Sequence, residues 1–148
     1  MSYQEKRSIA SLFGTVLISI LYGAFIYQKY QEGGANLNGE FHFWASAILL
    51  FIPAAVVLKI VIVVVFSIIS TITTQEEEPS VTDERDKLVD LKSTRNFFFV
   101  FMAGFFLSLL TQVFSQPPSV MFSLILISMF VGGAVLDISD FYYYRRGV

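Results

Sequence analysis

Four long stretches of this chain, residues 9–27, 43–72, 97–114 and 120–136, contain one charged residue between them, Lys59. A helix of about 20 apolar residues crosses the roughly 30 Å of hydrocarbon in a bilayer. Backbone groups find no water there, so each crossing must bond internally as a helix. The alternating polarity of a membrane β-strand is absent. The chain is also 55% hydrophobic and 15% charged over 148 residues, with 16 Phe, which is too much apolar surface for a soluble domain of this size. The fold expected is all-α: a single integral membrane domain, residues 1–148, built as a four-helix bundle. Residues 73–95 form its one long polar loop.

Lys and Arg set the expected orientation. Lys6 and Arg7 precede the first span, Arg85, Lys87, Lys92 and Arg95 lie between the second and third, and Arg145 and Arg146 follow the fourth. Only Lys29 falls on the opposite side. The positive-inside rule then places both termini and the long loop in the cytoplasm. The lipid bilayer is the first expected partner, and the bacterial inner membrane the expected location. Trp44, Tyr27 and Tyr30 fall at the outer interface, and Tyr142, Tyr143 and Tyr144 at the inner one, where aromatic belts sit. A basic start and an apolar core also fit a cleaved signal peptide. The long core, followed by Tyr27-Gln28-Lys29-Tyr30 in place of small residues, favours a retained span.

Because lipid is as apolar as Leu, close backbone approach and polar contacts must join the helices. Ser11, Thr15, Ser19 and Gly23 recur every four residues and make a ridge of small side chains on the first span. Gly104 with Ser108, and Ser128 with Gly132, repeat the spacing on the third and fourth. These ridges suit packing within the chain; the first also suits a homo-oligomer. The connection Ser115-Gln116-Pro117-Pro118-Ser119 is short enough to force the last two helices into an antiparallel hairpin. Pro53, inside the second run, removes one backbone donor and is expected to kink it or mark an interfacial segment.

Lys59 is the charge that needs a reason, since a Lys at the centre of a span costs about 2.5–3.5 kcal/mol. Its long stem can reach the cytoplasmic headgroups. Alternatively it pairs with a carboxylate at the inner end of the fourth span, where Asp137 and Asp140 share a helix face with Gly133 and Tyr144. Asp137 is the preferred partner.

Catalytic signatures are missing. There is no cysteine, which excludes disulfides, thiolate metal sites and cysteine catalysis. No nucleophile motif, phosphate-binding loop or dinucleotide fingerprint occurs, and the lone His42 cannot assemble a metal site. No cofactor, no metal and no enzymatic activity are expected. A net charge of −2 offers nothing to nucleic acid.

The stretch from Thr82 to Arg95 is the sizeable feature outside the apolar runs. Thr82 is a good helix cap, with Asp83 and Glu84 in the first turn and Lys87 placed to pair with either. No Gly or Pro interrupts residues 82–103, so one helix is expected from the cytoplasm into the third span. Arg85, Leu88, Leu91, Lys92 and Arg95 are the candidate partner-binding residues on this extension. The run Asp83-Glu84-Arg85-Asp86-Lys87-Leu88-Val89-Asp90-Leu91-Lys92 and the ending Asp137-Ile138-Ser139-Asp140 resemble small bacterial four-span proteins of unknown function. Their loop carries a DER-[DE]-x-L-[IV]-x-x-K pattern, and the resemblance covers residues 82–148. It implies a regulatory or stress-response setting and brings no site residues. The expected function is non-enzymatic, through contacts with a membrane or cytoplasmic protein. The alternatives are a small proton- or cation-coupled transporter or channel subunit using Lys59, Asp137 and Asp140, and an accessory subunit of a larger membrane complex.

Overall fold

The computed structural model describes residues 3–33, 37–74 and 84–147. Four α-helices account for nearly all of them: α1 (Tyr3–Gly33), α2 (Leu37–Thr74), α3 (Glu84–Val113) and α4 (Pro118–Arg146). Each is long and apolar enough to cross a membrane. The helices outrun the apolar stretches. At 1.5 Å per residue, the 38 residues of α2 extend about 57 Å. Helix α4 continues through the charged tail to Arg146, and Gly147 ends it with a left-handed backbone (φ 75°) and an N–H bonded to Tyr143 O. Helix α2 runs through Pro53 without interruption. Thr82 and Asp83, the expected cap and first turn of α3, lie outside the described residues, as does the acidic run 76–78.

Helix α4 packs on all three others, while α3 packs on α4 alone. Among the described residues α3 makes no close approach to α1 or α2. The α3–α4 hairpin turns at Phe114–Pro117, where Gln116 N–H bonds to Thr111 O and Ser115 takes a positive φ of 54°. Pro118 then opens α4 in the first turn, where its missing N–H leaves no bond unmade.

Small residues explain why α3 and α4 fit closely. A Cβ on Gly104 would collide with the Ser128 side chain, and one on Gly132 would come 2.9 Å from the Phe97 ring. Ser93 and Ser108 on α3 are fully buried. Near the hairpin end, α1, α2 and α4 enclose an apolar core of Ile26, Trp44, Ala47, Phe51 and Leu126, ringed by Tyr22, Tyr30, Phe122 and Phe130. This core fills one half of the molecule and leaves polar side chains to meet in the other.

Candidate functional site

Asp137 is the organising residue of the polar half. It projects from α4 and is 1% exposed. Its Oδ1 accepts from Ser11 Oγ at 2.8 Å and from Lys59 Nζ at 2.8 Å, and its Oδ2 accepts from Thr15 Oγ1 at 2.6 Å. Three helices therefore converge on one carboxylate. The sequence prepares this locally. Ser11 and Thr15, one turn apart, present two hydroxyls on the same face of α1. Gly133, one turn before Asp137, leaves room for α1, since a Cβ there would sit 3.2 Å from Thr15 Cγ2.

The arrangement offsets costs that neither charge could meet alone. A Lys in a span and a buried carboxylate are each expensive to desolvate. Here the carboxylate has three donors, and the ammonium, 38% exposed at its side chain, keeps one side toward open polar space. The Lys59 ammonium thus turns to Asp137.

Of the ridge Ser11, Thr15, Ser19 and Gly23, the first two are ligands of Asp137. Ser19 Oγ bonds back to Thr15 O at 2.6 Å, and Gly23 faces the Phe130 ring of α4. Three of the four ridge residues, Ser11, Thr15 and Gly23, therefore meet α4 within the chain.

Toward the chain termini the Lys59–Asp137 pair opens into a cavity of about 630 Å³ to which all four helices contribute. Helix α1 lines it with Gln4, Arg7 and Ser8, α3 with Asp86, Lys87 and Asp90, and α4 with Asp140 and Tyr144. Asp140 makes no ion pair with Lys59; it stands past the apolar stretch of α4, and burial raises its pKa to about 6. The Tyr144 hydroxyl is pushed up as well, by burial and then by the neighbouring Asp86 carboxylate. Glu84 and Lys87 do not form the expected ion pair. Lys87 is instead one of the cavity's lining residues.

The charged part of α3 is held against α4 along one face. Val89 is 1% exposed. Arg85 Nη2 donates to Tyr144 O at 2.8 Å, and Asn96 Nδ2 donates to Ser139 Oγ at 3.0 Å and Tyr143 OH at 3.2 Å. Lys92 lies over the Tyr143 ring, 5.5 Å from its centre. Among the candidate partner-binding residues, Arg85 and Lys92 are thus engaged with α4. Leu88 and Leu91 are 51% and 68% exposed, and Arg95 is exposed on the same side.

Sequence reasoning missed Asn96, Asp86 and Asp90. Asp86 and Asp90 stand one turn apart, which marks a shared face; only the position of α4 reveals what that face lines. No cluster of three potential metal ligands occurs among the described residues. Comparison of the chain with family models, curated proteins and solved structures finds no match in any of the three.

Proposed function

We propose that this chain is a non-enzymatic, multi-pass protein of a bacterial inner membrane that acts through protein contacts made by its charged α3 extension. Both termini and the extension face the cytoplasm in this reading, as the Lys and Arg distribution favours. One observation carries it. Residues 84–95 are not a slack linker but a helix clamped to α4 by Arg85, Val89 and Asn96, with Leu88 and Leu91 left on its free side. A fixed apolar pair beside the exposed Arg95 suits a partner helix of apolar and acidic character. The regulatory or stress-response setting rests on the resemblance of residues 82–148. The test is crosslinking in native membranes through a photoreactive residue at Leu91, read by mass spectrometry. A specific partner lost on Leu88→Ser with Leu91→Ser is the expected result; recovery of lipid alone overturns the proposal. Co-purification of a stable complex would specify the accessory-subunit form of the same reading.

A second reading, a small proton- or cation-coupled transporter, draws on the Lys59–Asp137 pair at the base of a polar cavity. Against it stands the apolar core of Ile26, Trp44, Ala47, Phe51 and Leu126 in the half of the molecule toward the hairpin end. Flux into liposomes that vanishes with Asp137→Asn would favour it, and absence of flux removes it.

A further inference from the structure

The polar cavity is lined by charges of both signs, and the Lys59–Asp137 pair accounts for only part of them. Lys87 and Asp90 are neighbours one turn apart on α3, and both line it. Yet among the described residues Lys87, Asp90 and Asp140 make no ion pair. Lys59 commits one of its three N–H donors to Asp137. A simple cation entering this space would meet Arg7, Lys59 and Lys87. A simple anion would meet Asp86, Asp90 and Asp140. A ligand that carries both signs a few ångströms apart would satisfy both sets at once, and charge-assisted hydrogen bonds reward that match.

The volume, about 630 Å³, lies within the roughly 300–1,000 Å³ of small-molecule sites. Its depth also matters. The lining passes from Asp137, at the end of the apolar stretch of α4, to Tyr144 two turns further on. In a membrane protein that is the level at which headgroups replace acyl chains. Helices α2 and α3 both line the cavity without closely approaching each other.

We propose that this cavity binds a zwitterionic ammonium–phosphate group, the ammonium at Asp90 and Asp140 and the phosphate at Lys59 and Lys87. The chemistry is shared by an aminophospholipid headgroup and by free phosphoethanolamine. The proposal does not depend on the protein-contact reading above and stands if that reading fails.

The test uses the full chain purified in detergent and follows thermal unfolding. One arm adds phosphatidylethanolamine, phosphatidylcholine or phosphatidylglycerol; the other adds phosphoethanolamine, ethanolamine or inorganic phosphate. Saturable stabilisation is expected from phosphatidylethanolamine, phosphoethanolamine or both. Ethanolamine or phosphate alone should need concentrations higher by about tenfold or more, since each leaves one set of charges unmatched. Phosphatidylcholine, whose ammonium has no N–H, should be similarly weaker. Asp90→Asn and Lys87→Gln should each weaken the stabilising ligand by about tenfold. Both side chains are exposed, so the unliganded melting temperature should stay at the wild-type value and separates lost binding from misfolding. A response to the lipid but not to phosphoethanolamine assigns the group to the bilayer, and the reverse assigns it to a free solute. The proposal is overturned by parity of phosphatidylglycerol or phosphatidylcholine with phosphatidylethanolamine. Variants that respond like wild type, or no response to any compound, overturn it too.

Discussion

At the scale of single residues, Asp137 and Lys59 are the pair on which the polar half depends. Removing one partner of a buried ion pair strands the other, at a cost of about 3–5 kcal/mol. The Lys59 left behind is partly exposed, so Asp137→Ala should destabilise the protein by less than that, about 1–3 kcal/mol, read by thermal or denaturant unfolding in detergent. Lys59→Met added to Asp137→Leu should recover much of the loss, because an apolar pair in this position needs no donors. A double variant as unstable as Asp137→Ala would contradict the account. Asp140 behaves differently. Its raised pKa, about 6 against an ordinary 3.8, means that the folded state takes up a proton that the unfolded state releases between those values. Its ionised form therefore opposes folding above about pH 6, and its contribution improves as pH falls toward 4. Asp140→Asn should flatten the dependence of melting temperature on pH between about 4 and 7. An unaltered dependence would show that the carboxyl is not desolvated.

At the scale of elements, the α3–α4 hairpin is the tightest unit, and its closeness rests on Gly104 against Ser128 and Gly132 against Phe97. The Ser128 β-carbon is anchored to its backbone and cannot yield, so Gly104→Val must push the helices apart. Overpacking of this kind costs about 1–3 kcal/mol. Thermal unfolding of Gly104→Val should show that loss, whereas Ala103→Val, at an exposed position one residue away, should be close to neutral. Equal effects at the two positions would sink the close-packing explanation. The same hairpin explains why the charged turns of α3 hold their course. Val89, Ser93 and Asn96 continue the face that begins deeper in the helix with Phe97 and Gly104, so α4 supports the helix beyond the apolar stretch.

At the scale of the whole molecule, α4 joins two unlike halves. Toward the hairpin it closes an aromatic core with α1 and α2, and toward the termini it supplies Asp137 and Asp140 to a polar cavity. The proposed orientation puts the cavity on the cytoplasmic side. The chain has no cysteine, so a single introduced thiol reports unambiguously. Gln116→Cys should react with an impermeant maleimide added outside intact spheroplasts, and Gly147→Cys should react only after permeabilisation. The opposite pattern would invert the topology.

How much of this was legible beforehand follows from the physics of each feature. Apolar length is a local property, so the four helices could be read directly, and helix period could be read from the four-residue spacing of Ser11, Thr15, Ser19 and Gly23. The short link through Pro117 and Pro118 implied the hairpin by reach alone. The candidate partners of Lys59 could be named because an intramembrane charge has few carboxylates within reach. Whether its flexible stem turned to the headgroups or to Asp137 was undecided, since both relieve the same cost. That choice, the enclosure of Asp137 by Ser11 and Thr15, and the turning of Asp86, Lys87 and Asp90 toward a common cavity came from how α1, α2 and α3 are disposed about α4. Local sequence determined which segments are helical and which faces are apolar, because those depend on near neighbours and solvent. Only the tertiary structure decided which polar groups share a space, because that depends on the relative placement of helices far apart in the chain.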